Sequence, residues 1–176
     1  MNIKQLQVLL ESGFTIRAEK KFSFWFNLFY KNKTDTIIQL NDLSIGALLE
    51  ITDKSNLIDI FQIIVHDLKL DTWKMTDNDR CTLALLWTDR LDIMMKAFSA
   101  ADNITIPSDF SSQWFQTDQV IPIPPTIALL DQIARRVGLT YEQASELRWS
   151  EVMWMVRIDK KEAYFNYLCS KKQQRK

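Results

Sequence analysis

Phe22-Ser-Phe-Trp-Phe-Asn-Leu-Phe-Tyr30 is the stretch that decides the fold class of this chain. Its aromatic residues recur in part at every second position, and aromatic side chains at that period are typical of a β-strand. A turn over residues 31–35 and a second strand over residues 36–40 complete a predicted hairpin, to which residues 15–21 can add a third strand. Because two strands alone are only marginally stable, we expect the hairpin to pack against the rest of the chain.

Helical patterns dominate the remainder. Thr76-Asp-Asn-Asp79 has the spacing of a capping box, with Asp in place of the usual Glu or Gln, and opens the clearest helix. The apolar stripe of that helix consists of Leu83, Trp87, Leu91, Met94, Met95 and Phe98. Further along, Pro125 starts a predicted helix that Gly138 closes, Thr140 and Gln143 repeat the capping-box spacing, and Ser150 caps a last helix to about residue 170.

These patterns predict a mainly α fold with a small N-terminal β-hairpin, an α+β arrangement with a compact helical body and a long C-terminal amphipathic helix. We expect an N-terminal helix plus hairpin over residues 1–41, the helical body over 42–170 and a basic tail over 171–176, all within one domain. Residues 104–123 are predicted to form an irregular connection that still carries Phe110, Trp114 and Phe115.

The composition is rich in contact-making residues and poor in catalytic groups. The chain has six Trp, ten Phe and four Tyr, but one His, two Cys and three Gly. One imidazole, His66, and two distant thiols, Cys81 and Cys169, supply neither a hydrolytic triad nor an ordinary zinc site. Three scattered glycines exclude the known phosphate-cradling loops. We therefore predict no catalytic residues, no metal and no cofactor.

Charge and hydropathy bear on compartment and partners. The net charge is zero, but residues 42–109 carry six basic and twelve acidic groups, whereas residues 157–176 carry seven basic and two acidic groups. No segment has the length of a bilayer span or the form of a secretory signal, so we predict a cytoplasmic protein without membrane association. The uneven charge favours a solvated surface with a solubilising tail, and it is also compatible with a homo-oligomer or with an extended charged partner.

The last helix is the best candidate for an interaction surface. Glu151-Val-Met-Trp-Met-Val-Arg-Ile158 is apolar around almost its whole circumference, and such a segment is either buried or covered by a partner. The proposed partner-binding residues are Trp149, Trp154, Met155, Ile158 and Phe165. Trp anchors interfaces and Met adapts to them, yet the same residues are compatible with a core, and the pattern favours the core over a partner surface.

A second candidate is nucleic-acid binding. Ala134, Gly138 and the short helix after them have the spacing of a helix-turn-helix over residues 127–147, which the basic C-terminal tail would assist. That helix offers Glu142 and Glu146 to the groove, and carboxylates repel phosphate. We therefore expect a structural helical hairpin and no nucleic acid.

Two segments resemble tail-assembly chaperones of tailed bacteriophages. They are Leu40-Asn-Asp-Leu-Ser-Ile-Gly-Ala-Leu-Leu-Glu-Ile51 and the C-terminal region that begins Gly138-Leu-Thr-Tyr-Glu-Gln-Ala-Ser-Glu-Leu-Arg-Trp149. The resemblance implies a non-enzymatic phage protein of the host cytoplasm that keeps tape-measure, tail or baseplate components soluble during assembly. A structural component of the virion is the alternative that the same resemblance allows.

Overall fold

The computed structural model of the protein describes residues 1–16, 21–102 and 125–173, and these are helical with no strand among them. The helices are α1 (Ile3–Glu11), α2 (Phe24–Tyr30), α3 (Thr34–Gln39), α4 (Ile45–Thr52), α5 (Leu57–Asp67), a 3-10 turn (Thr72–Lys74), α6 (Asp77–Asp102), α7 (Pro125–Val137), α8 (Tyr141–Ser145) and α9 (Trp149–Gln173). The chain divides into two compact units, Met1–Met94 and Met95–Lys176, and α6 runs through the division.

The predicted N-terminal β-hairpin is wrong. Residues 24–30 form α2 and the supposed second strand over 36–40 lies largely in α3. Of the proposed third strand, residues 17–20 lie outside the described part of the chain, and its remaining residues form no strand. Phe22, Phe26 and Tyr30 instead stack along one side of a helix, with ring centroids 4.2 Å and 5.0 Å apart. The fold class of the described residues is therefore all-α.

A buried carboxylate fixes the start of α2. Ser23 is the N-cap, and its hydroxyl accepts a hydrogen bond from the Phe26 N–H at 3.2 Å. The same serine donates its own N–H and O–H to Asp79, at 2.7 Å and 2.6 Å. A seven-residue helix has little stability of its own, so this distant anchor holds the segment in its helical conformation.

Asp79 also starts α6, as the capping-box spacing predicts. Thr76 donates its N–H and O–H to the Asp79 carboxylate at 2.9 Å and 2.7 Å, and the Asp79 N–H returns a bond to the Thr76 hydroxyl at 3.2 Å. The side chain is fully buried, and burial alone would raise its pKa. The four hydrogen bonds from Ser23 and Thr76 outweigh that cost and hold the pKa of Asp79 below its usual range.

A serine N-cap bound by a distant carboxylate also occurs at the start of α4. Ser44 caps this helix through a bond from the Ala47 N–H at 3.1 Å, and donates its N–H and O–H to Asp67 at 2.8 Å and 2.6 Å. Asp67 is the last residue of α5. A serine cap on one helix is thus bound by a carboxylate on another, which ties α4 to α5 by more than apolar contact.

The core of the first unit is built on α6. Leu83, Trp87, Leu91 and Met94 are buried, as the predicted stripe requires, whereas Met95 is exposed. The Trp87 indole N–H donates to the Ile37 carbonyl at 2.9 Å, and Arg90 donates to the Gln39 carbonyl at 3.0 Å. Because the last carbonyls of a helix have no partner within it, these two side chains complete the C-terminus of α3.

In the second unit the predicted helix boundaries are largely confirmed. The helix α7 begins at Pro125, and Gly138 follows its end with a positive φ of 70° that glycine adopts without strain. Thr140 and Gln143 form the predicted capping box of α8. The last helix begins at Trp149, one residue before the expected cap.

Two predicted segments fall outside the described residues. The irregular connection over 104–123, with Phe110, Trp114 and Phe115, is one of them. Of the basic tail, residues 171–173 continue α9, and residues 174–176 are outside the described part.

Replacing Asp79 by Asn should destabilise the first unit. An amide presents a donor to a site in which Ser23 and Thr76 supply only donors, so at least one buried N–H or O–H loses its acceptor. We expect a cost of about 1–3 kcal/mol in the free energy of unfolding, measured by urea denaturation. Asp77→Asn is the matched control, because Asp77 makes only an exposed ion pair with Arg80 at 3.5 Å, and it should change stability little.

The contribution of Asp79 should also depend on pH. Its folded pKa lies below the unfolded value of about 3.9, so the stabilisation is complete above that pH and is lost as pH falls through the folded pKa. The stability of the wild-type protein should therefore fall more steeply below about pH 4 than that of Asp79→Asn. Parallel acid-unfolding curves in both proteins would contradict this role.

Candidate protein-binding surface

Polar contacts attach α9 to α7 in the second unit. Arg136 forms an ion pair with Asp159 and donates to the Met155 carbonyl at 3.3 Å. Gln132 donates to the other carboxylate oxygen of Asp159 at 3.3 Å. These bonds fix the rotation of α9 about its axis, and that rotation decides which of its apolar side chains face inward.

The inward face of α9 is an ordinary core surface. Trp149, Val152 and Tyr167 are buried, and Trp149 is only 6 % exposed. The Trp149 ring lies 6.4 Å from the ring of Phe98, centroid to centroid. At 100° per residue these inward positions fall on one side of the helix, and the half-buried Val156 and Ala163 fall between them.

The opposite side of α9 carries a second row of apolar side chains, which we call the outer stripe. It consists of Trp154, Ile158, Phe165 and Leu168, all exposed. Trp154 is 57 % exposed and Phe165 is 64 % exposed, so both large rings lie mostly in solvent. Isolated apolar residues are common on protein surfaces, whereas large exposed apolar patches are typical of interaction sites.

The spacing of the outer stripe is that of a coiled-coil seam. Positions 154, 158, 165 and 168, with Lys161 between them, follow steps of four and three residues. Lys161 is exposed, and the Arg157 guanidinium lies over the Trp154 ring at 5.4 Å. The stripe thus offers an apolar seam with positive charge at its centre and at one edge.

The five residues proposed from sequence divide between the two faces. Trp154, Ile158 and Phe165 lie on the outer stripe, Met155 is half-buried, and Trp149 is part of the core. Leu168 is on the stripe and was not among the proposed residues. Leu168 lies seven residues after Lys161 and three after Phe165, and this spacing places it on the same side of the helix in the sequence.

The helix-turn-helix segment forms a compact helical hairpin. Packing of α7 against α8 buries Leu130, Ile133, Ala134 and Ala144. The helix α8 has only five residues, and Tyr141, Glu142 and Gln143 are exposed on it. Hydrogen bonds from its own backbone N–H and from the Thr140 hydroxyl lower the pKa of Glu142, which keeps a negative charge where a DNA phosphate would approach.

The groups considered for catalysis are dispersed. His66 lies in the last turn of α5, beside a shallow groove that Phe61 and Arg80 also line. Cys81 is buried, burial raises the pKa of its thiol, and its Sγ donates to the Met1 carbonyl at 3.4 Å. Cys169 is exposed on α9. Within residues 1–16, 21–102 and 125–173, no three His, Cys, Asp or Glu side chains gather as a possible metal site.

A second exposed surface lies in the first unit and was missed by the sequence analysis. Its members, which we call the aromatic face, are Phe24, Trp25, Leu28 and Phe29 of α2 and Trp73 of the 3-10 turn. The incorrect strand prediction hid it, because a strand divides these residues between two sides.

No helix in the described residues combines the length and apolarity needed to cross a membrane.

The two tryptophans of α9 should respond differently to truncation. Trp149→Ala removes a core side chain and should cost about 3–5 kcal/mol in the free energy of unfolding. Trp154→Ala removes an exposed ring and should change that free energy by about 0.5 kcal/mol or less. Urea denaturation of both variants measures the difference, and equal losses would contradict the assigned rotation of α9.

Comparisons with known proteins leave the function to be argued from these surfaces. Protein-family models, curated protein sequences and solved structures were all compared with the chain, and no match was found.

Proposed function

We propose that the protein is a non-enzymatic assembly chaperone or adaptor that binds a partner protein through the outer stripe of α9. The observation that carries the proposal is the double-sided character of this helix. One face already fills the core of the second unit with Trp149, Val152 and Tyr167, and within the described residues the apolar side chains opposite them lie outside that core and are exposed. Exposed apolar surface is stabilised when a partner covers it.

The geometry of the stripe favours a helical partner. A row with steps of four and three residues packs its side chains into the holes of a facing helix that has the same period. The exposed Trp154 and Phe165 would be the main anchors, since aromatic residues carry much of the energy of protein interfaces. The partner is therefore an amphipathic helix with an apolar seam.

The charges on the stripe disfavour a parallel pair of two copies of this helix. In a parallel pair of α9 helices each Lys161 would face the same residue of its partner, and like charges in a seam repel. The basic residues Lys171 and Lys172 at the end of the helix would also lie side by side. A client helix with a carboxylate opposite Lys161 avoids both penalties.

The resemblance to phage tail-assembly chaperones supplies the class of client. We propose that the client is a tail, tape-measure or baseplate component, and that binding to α9 covers its apolar helix until assembly. A structural virion component would use the same surface but stay in the finished particle. Mass spectrometry of purified particles distinguishes the two.

Trp154→Ala and Phe165→Ala should each weaken client binding while leaving the fold intact. We expect a loss of about 2 kcal/mol or more for each anchor, which is roughly a 30-fold rise in Kd. Co-expression with tail and baseplate proteins encoded near this chain, followed by co-purification, identifies the client. Titration of the purified pair then gives the Kd.

Ile127→Ala is the matched control, because Ile127 is an exposed apolar residue on α7, away from the outer stripe. It should leave the Kd unchanged. The proposal fails if both aromatic variants bind the client as well as the wild type. A gel-filtration shift caused by the variants in the absence of client would instead assign the stripe to self-association.

A further inference from the structure

The aromatic face of the first unit is the strongest feature that the proposed function does not use. Phe24 is 72 % exposed and Trp73 is 94 % exposed, values that are extreme for large apolar side chains in a folded unit. On α2 the exposed apolar residues stand at i, i+1, i+4 and i+5, and therefore form one broad side of the helix. Phe26 and Tyr30 on the other side are buried, so α2 lies along the surface with its aromatic side outward.

The aromatic face is pre-arranged by its own contacts. The Trp25 and Phe29 rings lie 6.2 Å apart and nearly parallel, at 15°, and Phe24 meets Trp25 edge to face at 5.7 Å. Trp73 shares a shallow cavity with Trp25 and Phe29. The Tyr30 hydroxyl holds the 3-10 turn in place by donating to the Asp71 carbonyl at 2.9 Å and accepting from the Asp71 N–H at 3.1 Å.

The charges beside the aromatic face are positive. Residues 21–34 contain Lys21, Lys31 and Lys33 and no carboxylate, whereas residues 42–109 have twice as many acidic as basic groups. Lys74 lies at the edge of the face, with its ammonium 4.9 Å from the centre of the Phe29 ring. Of the acidic groups close by in the sequence or at the 3-10 turn, Asp71 pairs with Lys74 at 3.1 Å, Asp79 is buried against Ser23, and Asp35 is exposed in the first turn of α3.

We propose that the aromatic face binds the surface of an anionic lipid bilayer. Trp and Phe side chains on one side of a surface helix, with lysines at its ends, are the chemistry of in-plane membrane contact. The rings would enter the boundary between headgroups and acyl chains, and Lys31, Lys33 and Lys74 would lie among the anionic headgroups. The expectation of no membrane association rested on the lack of a spanning segment, and a peripheral contact needs none.

Two features favour lipid over a protein or nucleic-acid partner. The face is broad and apolar, and the cavity that Trp25, Phe29 and Trp73 line on it is shallow, whereas the outer stripe of α9 is narrow. Trp25 and Phe29 pack on each other, and Leu28 lies between them along the helix, so these two rings do not offer separate open faces to successive bases.

Sedimentation with vesicles tests the proposal on the full chain. Wild-type protein should co-sediment with vesicles of equal parts phosphatidylcholine and phosphatidylglycerol, and only weakly with pure phosphatidylcholine. Trp25→Ser/Phe29→Ser should lower the partition coefficient for the anionic vesicles by about tenfold or more, because two interfacial rings are lost. Lys31→Glu/Lys33→Glu should lower it by a similar factor without touching the aromatic side chains.

Val8→Ser/Ile93→Ser is the matched control, since both residues are exposed apolar side chains of the same unit outside the aromatic face. It should bind vesicles as the wild type does, and circular dichroism verifies that all variants keep their helices. The proposal is overturned if wild-type protein does not bind anionic vesicles, or if the aromatic variant binds as well as the control. Concentration-dependent self-association or oligonucleotide binding that the aromatic variant abolishes, without vesicle binding, assigns the face to those partners instead.

Discussion

The Asp79 carboxylate is the interaction on which the first unit depends. It receives hydrogen bonds from the N-cap of α2 and from the N-cap of α6, and so joins the starts of two helices, with Ser23 and Asp79 lying 56 residues apart in sequence. A buried charge is tolerated only when hydrogen bonds replace its hydration, and Ser23 and Thr76 supply them. Because Ser23 sets the phase of α2, the same carboxylate decides that Phe26 and Tyr30 point inward and that Trp25 and Phe29 point outward.

Sequence alone could not distinguish strand from helix at residues 22–30 for a geometric reason. Phe22, Phe26 and Tyr30 share a side in a strand, because all are even-numbered, and also in a helix, because they are four residues apart. The contact that selects the helix is the hydrogen bonding of Ser23 to Asp79, and Asp79 is distant from Ser23 in the chain. The capping boxes at Thr76 and Thr140 were predictable because both partners lie within four residues of each other.

The α9 surface was partly predictable for a related reason. An excess of apolar residues over one buried face is visible in the sequence at positions 152–158, but the rotation of the helix is not. That rotation is set by contacts of Arg136 and Gln132 with α9, which come from a different helix. Trp149 and Trp154 therefore look equivalent in the sequence and lie on opposite sides of α9 in the structure.

The shapes of the two exposed surfaces indicate different partners. The outer stripe runs from Trp154 to Leu168, about 21 Å along the axis at 1.5 Å per residue, and is one side chain wide, which suits the seam of another helix. The aromatic face is short and broad, with lysines at its ends, and a helix laid across it would leave most of its rings exposed. A bilayer surface can cover every ring of a broad patch together, which is why we propose lipid for the aromatic face and a helix for the outer stripe.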